Sequence, residues 1–238
     1  MSTPVPSVRQ LRAGRDFGAG NRVAAQMANF AYAVVDEPTR TALLVDPAHA
    51  PLELWSALER DGIELAGVVL THYHADHAGG RLGGLPVAGI AELLEHCAVP
   101  VHVQRDEVPW VRQGTGLDEA ALVAHEAGDT LTLGAHRVTL LHTPGHTPGS
   151  QCLLVDGAVL TGDTLFLDGC GRTDLPGGDP AALYDSLFRR LATLPGETLV
   201  LAGHDYSAVP AATLAEVRAV NPFLAPVDQA TWVARQGG

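Results

Sequence analysis

The chain has 238 residues, 46% of them hydrophobic and 18% charged, a composition typical of a folded enzyme and not of a disordered chain. Its formal net charge of −12 argues against a nucleic-acid partner, because phosphate binding requires a basic surface. All 15 basic residues are Arg, which excludes Schiff-base chemistry by Lys.

The sequence contains no candidate membrane span, and Met1 to Gly20 lacks the apolar stretch of a secretory signal. The three cysteines, Cys97, Cys152 and Cys170, are widely spaced and odd in number, so no disulfide framework is indicated. We therefore predict a cytoplasmic protein that does not interact with membranes.

Strands and helices are predicted to alternate along the first half of the chain. The turn Asp36-Glu37-Pro38 indicates a hairpin, and apolar spacing distinguishes the following helices from the strands. The predicted elements are strands at 29–35 and 41–45, a helix at 52–61, a strand at 65–70, a helix at about 88–96 and a strand at 100–103.

The second half is predicted to contain two more hairpins, one around Gly134 and one around Asp156-Gly157. Asp179 followed by Pro180 indicates a helix start, and Leu183, Leu187 and Leu191 form its apolar stripe. The predicted elements are strands at 130–133, 136–142, 151–155 and 158–161, a helix at 180–194 and a strand at 198–201.

Two β-rich halves with helices outside predict a sandwich of sheets covered by helices on both faces. We expect one domain over residues 1–238. Beyond the strand predicted at 100–103, the stretch at about 100–126 fits no clear element, and it is predicted to be an insertion. This insertion contains Trp110 and Arg112, and we expect it to cover the active site.

Three imidazoles and a carboxylate lie within six residues directly after the apolar run at 65–70. His72 and His74 alternate, so a strand ending there would point both rings to the same side. Asp76 and His77 are expected in the loop that then turns away from the sheet. This convergence predicts a metal site.

Three further candidate ligands, His146, Asp163 and His204, also follow apolar strands. Imidazoles and carboxylates suit Zn²⁺, Fe²⁺ or Mn²⁺, and the absence of Cys ligands argues against a closed structural zinc site. Five His and two Asp exceed the needs of one tetrahedral ion, but they suit two ions that share a bridging carboxylate.

The complete donor pattern resembles the metallo-β-lactamase superfamily, over about residues 29–224. The resemblance implies an α/β (α+β) fold, an αββα sandwich of two mixed sheets with metals at one edge. By position, it implies a first metal on His72, His74 and His146. It implies a second metal on Asp76, His77 and His204, with Asp163 bridging the two.

The runs at 142–149, 162–166 and 169–174 resemble the glyoxalase II and persulfide dioxygenase branch of that superfamily. The first hypothesis is therefore hydrolysis of a small thiol's thioester by a metal-bound hydroxide. Two divalent ions, preferably Zn²⁺, would be the cofactors, and Asp76 would orient the hydroxide. The expected partner is a small thiol-linked substrate, and a homodimer is one expected assembly.

Arg172 and Tyr206 resemble substrate-side residues of the persulfide dioxygenase group. A structural role is the alternative, in which Arg172 pairs with Asp168 or Asp174 and Tyr206 packs against its loop. Glyoxalase II itself has a helical C-terminal domain whose basic residues hold glutathione, and the short stretch after His204 contains no Lys. The identity of the thiol is therefore open.

The second hypothesis belongs to another reaction class, a persulfide dioxygenase with a single Fe(II). In that group the ion is held by residues matching His72, His146 and Asp163, and the other donors persist without binding metal. A non-catalytic interaction module is disfavoured, because all seven donors are intact.

Overall fold

The computed structural model describes residues 7–236 and contains two six-stranded sheets between two layers of helices. The first six residues of the predicted non-secretory N-terminus lie outside the described residues. The strands are β1 (Val8–Arg12), β2 (Phe30–Asp36), β3 (Thr41–Val45), β4 (Glu64–Val69), β5 (Gly80–Leu82), β6 (Leu85–Val87), β7 (Val101–Gln104), β8 (Leu122–His125), β9 (Thr130–Leu133), β10 (His136–His142), β11 (Gln151–Val155), β12 (Ala158–Gly162), β13 (Leu199–Ala202) and β14 (Ala212–Thr213).

The helices flank these sheets. They are α1 (Arg22–Met27), α2 (Pro51–Arg60), α3 (Ala75–Ala78), α4 (Ile90–His96), α5 (Val108–Thr115), α6 (Pro180–Asp185), α7 (Leu214–Val220) and α8 (Gln229–Gln236). None of the helices in residues 7–236 has the length and apolarity needed to span a membrane.

Both six-stranded sheets are mixed, and β5 and β6 form a separate antiparallel hairpin. The first has the order β1, β2, β3, β4, β7, β8, with antiparallel pairs up to β3 and parallel pairs from β3 onward. The second has the order β14, β13, β12, β11, β10, β9, with one parallel pair, β12 and β13. The three predicted hairpins are confirmed as β2–β3, β9–β10 and β11–β12.

The side chains of β2 show why these strands are apolar on both faces. Tyr32 and Val34 pack between the two sheets, whereas Ala33 and Val35 pack under the helices of the first sheet. Helices α2, α4 and α5 cover that outer face, and α6, α7 and α8 cover the second sheet. The predicted αββα sandwich is therefore confirmed.

The helix predicted at 180–194 is helical but irregular. After α6 it continues as a π-helical turn, Ser186–Arg190, and a 3₁₀ turn, Leu191–Thr193. The predicted stripe is confirmed, because Leu183, Leu187 and Leu191 are all buried. Their spacing of four exceeds the 3.6 residues of an α-helical turn, and the wider turn keeps them on one side.

Two local predictions at the histidine cluster are wrong. Strand β4 ends at Val69, so His72 and His74 lie in an extended segment beyond the sheet. Asp76 and His77 lie on the short helix α3 instead of in a loop. The backbone N–H groups of His77 and Ala78 donate to His74 O, and this turn folds the Asp and His side chains back toward the sheet edge.

The segment at 100–126 is built into the first sheet. It forms β7, α5 and β8, and β8 extends the sheet by parallel pairing with β7. Trp110 stacks on Tyr73 with ring centroids 5.0 Å apart, whereas Arg112 pairs with Glu119 on the exterior. Its status as an insertion stays a prediction.

Candidate metal centre

The seven predicted donors meet at one edge of the sandwich, where strands of both sheets end. His72 and His74 follow β4, Asp76 and His77 lie on α3, His146 lies in the β10–β11 loop, Asp163 follows β12 and His204 follows β13. The side chains form two groups of three around Asp163, which we call the first trio (His72, His74, His146) and the second trio (Asp76, His77, His204).

The first trio is made only of imidazoles. Nδ1 of His74 lies 3.0 Å from Nε2 of His72 and 3.0 Å from Nε2 of His146. Three ring nitrogens that converge in this way suit a cation, because two neutral imidazoles can share one proton but a third nitrogen then lacks a partner.

The second trio combines two imidazoles with a carboxylate. Nε2 of His77 and Nε2 of His204 lie 3.3 Å apart, and each is 3.4 Å from Oδ2 of Asp76. All three side chains are buried. A carboxylate oxygen and two imidazole nitrogens at these separations form a second candidate set of cation ligands.

Asp163 lies between the trios. Its Oδ1 is 3.3 Å from Nε2 of both His77 and His204, and its Oδ2 is 3.7 Å from Nε2 of His146. Among the described residues Oδ1 has no hydrogen-bond partner, although it is buried. Since a buried carboxylate oxygen without a partner is costly, this atom fits a cation ligand.

The far side of three imidazoles is held by oxygen acceptors. Nδ1 of His77 lies 2.9 Å from Oδ2 of Asp46, and Nδ1 of His204 lies 2.7 Å from the carbonyl of Met27. Nδ1 of His146 lies 2.7 Å from the carbonyl of Arg172. Each Nδ1 therefore donates its proton outward, so that in the neutral ring Nε2 carries a lone pair directed into the site.

The two trios differ in electrostatics. Burial, assisted by neighbouring histidines, lowers the pKa of His72, and it lowers the pKa of His74 to about 4, so both rings are neutral. Burial opposes the charged forms of His77 and Asp163 too, but neighbouring opposite charges outweigh it: Asp163 and Asp76 raise the pKa of His77, and His204 and His77 lower the pKa of Asp163. The pKa of Asp76 falls for the same reason.

The ionised carboxylates of Asp76 and Asp163 thus attract positive charge to the second trio, and a divalent cation would supply it. The residues of both trios fit metal ions by donor chemistry, by ring orientation and by the partnerless oxygen of Asp163.

A pocket of about 800 Å³ opens onto this edge and reaches Asp76, His146 and Asp163. Its walls are largely apolar and include Met27, Phe166 and the β5–β6 hairpin. A small organic substrate of mixed polarity therefore has room beside the two trios.

Both predicted substrate-binding residues line this pocket. Tyr206 stacks on His204 with ring centroids 4.6 Å apart, and its side chain remains half-exposed. Arg172 forms a two-point ion pair with Asp174, at 2.6 and 2.9 Å, on the exposed rim. Their role toward a substrate stays a prediction.

Cys170 also lines the pocket, but burial raises the pKa of its thiol to about 12. The thiol is therefore protonated at neutral pH, which excludes it as a ready nucleophile.

Asp46 and Asn29 orient the donors and were not among the predicted site residues. Asp46 accepts hydrogen bonds from N and Oγ1 of Thr71, at 2.8 and 2.6 Å, in addition to its contact with His77. Nδ2 of Asn29 donates to Oδ2 of Asp76 at 3.1 Å. A signal existed for Asp46, because it directly follows β3, the parallel neighbour of the strand that leads to the histidine cluster.

Comparison with known families agrees with this site. The model of the metallo-β-lactamase superfamily matches residues 27–204, which include all seven donors. The chain belongs to the metallo-β-lactamase superfamily. It is 37% identical over 212 residues to the hydroxyacylglutathione hydrolase of Alkalilimnicola ehrlichii, covering 88% of this chain and 74% of that protein.

Two ETHE1 proteins are also similar to this chain. The chain is 33% identical over 200 residues to the human mitochondrial persulfide dioxygenase ETHE1, covering 82% of this chain and 71% of that protein. The crystal structure of ETHE1 from Myxococcus xanthus superposes with a TM-score of 0.78 and 30% identity, covering 97% of this chain and 90% of that one. The chain is therefore an enzyme of this superfamily with a metal-binding site of His and Asp ligands.

Proposed function

We propose that this chain hydrolyses a thioester of a small thiol with two bound divalent ions, Zn²⁺ in preference to other metals. The placement of Asp163 carries the proposal. Its two oxygens face different trios, with Oδ1 toward His77 and His204 and Oδ2 toward His146. A carboxylate between two ligand sets suits a bridge between two ions, and His and Asp ligands suit zinc.

The first trio would hold one ion and the second trio the other. Bound ions of this kind ionise water near neutral pH and stabilise negative charge that develops on a carbonyl oxygen. Asp76 lines the pocket, so its carboxylate can accept a hydrogen bond from a water there and orient it. A thiolate leaves without a strong general acid, and this chemistry therefore requires no additional proton donor.

The identity to hydroxyacylglutathione hydrolases supports a hydroxyacyl thioester of glutathione as the substrate class. Arg172 and Tyr206 are proposed to contact the thiol portion at the pocket rim. A substrate carboxylate would then exchange with Asp174 for the guanidinium, which favours two-point contacts of this kind. A cytoplasmic location and a homodimeric assembly stay predictions.

A single-iron persulfide dioxygenase is the second candidate function. The likeness to ETHE1, by sequence and by structure, supports it. His72, His146 and Asp163 would then hold Fe(II), as a set of two imidazoles and one carboxylate. We favour hydrolysis because the two oxygens of Asp163 face different trios and because the identity to a hydroxyacylglutathione hydrolase, 37%, exceeds the 33% identity to the human ETHE1.

The test is turnover of a hydroxyacyl thioester of glutathione by the zinc-loaded protein, with the released thiol measured by a chromogenic disulfide. We expect saturable turnover that falls by more than about 100-fold in His146→Ala, because loss of a ligand exceeds the effect of losing a ligand's outer partner. Circular dichroism should show that this variant keeps the fold. Oxygen uptake on glutathione persulfide by the iron-loaded protein, without thioester turnover, would overturn the proposal.

A further inference from the structure

Glu107 is a buried carboxylate outside the donor set, and it binds two loops of the site at once. It directly precedes α5 and is 1% exposed. Its Oε1 accepts hydrogen bonds from N of Tyr73 at 2.7 Å and from Oγ1 of Thr147 at 2.8 Å. Its Oε2 accepts a hydrogen bond from N of Gly149 at 2.7 Å.

Two of the three donors to Glu107 are immediate neighbours of first-trio residues. Tyr73 lies between His72 and His74, and Thr147 follows His146. One carboxylate therefore joins the two loops whose ring nitrogens must meet. The second trio is held by other groups, namely Asp46 at His77, Met27 at His204 and Asn29 at Asp76.

The fit around Glu107 is tight. A Cβ at position 149 would lie 2.6 Å from Oε2 and 2.5 Å from N of Glu107, so only Gly allows this approach. Burial raises the pKa of Glu107 to about 7, against the effect of the three hydrogen bonds. Burying a carboxylate is costly, and these charge-assisted hydrogen bonds offset the cost only while both loops stay in place.

We propose that Glu107 is a positioning residue for the first trio: it fixes the spacing of His72 and His74 relative to His146, and none of its three hydrogen bonds is to a residue of the second trio. The proposal rests on the proposed metal centre, but it is independent of which substrate the enzyme uses.

The test compares stepwise Zn²⁺ binding by metal-free wild-type protein and Glu107→Gln at pH 8, in competition with a chromogenic chelator. In Glu107→Gln an NH₂ group replaces one carboxylate oxygen, so a donor faces an N–H or O–H group and at least one hydrogen bond is lost. We expect Zn²⁺ binding at the first trio to weaken by about 10–100-fold, the effect typical of losing an outer partner of a metal ligand. Binding at the second trio should change by less than about threefold. His146→Ala and His204→Ala identify which step belongs to which trio.

A matched control is available at the opposite end of the sandwich. Asp36 is 1% exposed and accepts hydrogen bonds from N and Oγ1 of Thr39 and from N of Ala135, so it too is a buried carboxylate that joins two turns. Asp36→Asn should lower thermal stability without separating the two binding steps. The visible spectrum of bound Co²⁺ should change in Glu107→Gln and stay as in the wild type in Asp36→Asn.

Equal weakening of both steps in Glu107→Gln, or an unchanged first-trio step, would overturn the positioning role. If Glu107→Gln does not fold, Thr147→Val removes one of the three hydrogen bonds and should give a smaller effect on the same step; no effect there also overturns the role. A wild-type protein that binds no Zn²⁺ would instead refute the metal centre itself.

Discussion

At the scale of single residues, the site depends on a glycine whose missing side chain lets the backbone lie close to the donors. Gly171 lies in the loop between β12 and α6, against His146. A Cβ there would lie 2.9 Å from Cγ and Nδ1 of His146 and 2.1 Å from the carbonyl of Asp163. Real Cβ atoms do not make contacts this short, so any larger residue must displace a donor.

Gly171→Ala should therefore lower thioester turnover by about 100-fold, the effect expected when a reacting group moves by about 1 Å. Gly169→Ala is the matched control, since a Cβ at 169 meets only Phe166, at 3.6 Å, an ordinary contact. Its turnover should stay within about threefold of the wild type. Steady-state rates of the two zinc-loaded variants provide the comparison, and equal rates would show that the backbone absorbs the methyl group without moving His146.

At the scale of elements, the sheet edge formed by β7 and β8 carries a second histidine pair, away from the metal centre. Nδ1 of His102 lies 2.9 Å from Nε2 of His125, and Nδ1 of His125 lies 3.4 Å from Oδ2 of Asp129. Burial, and secondarily the charge of His125, lowers the pKa of His102 to about 4.

This pair predicts how stability depends on pH. Between about pH 6.5 and 4 the unfolded chain protonates His102 and the folded chain does not. The contribution of His102 to the free energy of unfolding is therefore fully present above about pH 6.5 and is lost as the pH falls. After allowance for solvent screening, the loss from pH 7.5 to 5 is about 1 kcal/mol.

His102→Gln should remove the contribution of His102 to the decrease in the free energy of unfolding between pH 7.5 and 5. Urea unfolding of the two proteins at both pH values, with a chelator present, measures the free energies. If wild type and variant lose equal stability between pH 7.5 and 5, the pair does not contribute.

At the scale of the whole molecule, the fold and the convergence of the seven candidate ligands could be predicted because both follow local rules. Apolar strands, turn residues and strand-end His and Asp are visible in one sequence. The edge strand β8 could not be predicted, because its four residues, Leu122–His125, do not alternate between apolar and polar side chains. Glu107 had no signal either, since two of its partners are backbone N–H groups, which any residue supplies.

The errors near the histidine cluster also arise where the sequence pattern is too short to define an element. Apolar residues at 65–70 do not reveal that β4 ends at Val69, and four residues are too few for a helical period that would indicate α3. The predicted convergence of the donors does not depend on these local errors, because it rests on the spacing of the donors in the sequence and not on the type of element that carries them.

The central claim is that two ions share Asp163, and the number of ions bound per chain tests it most directly. Native mass spectrometry of metal-free protein titrated with Zn²⁺ should show two ions per chain in the wild type, and loss of at least one in Asp163→Asn. Saturation at one ion per chain in the wild type, with the fold intact, would contradict the claim.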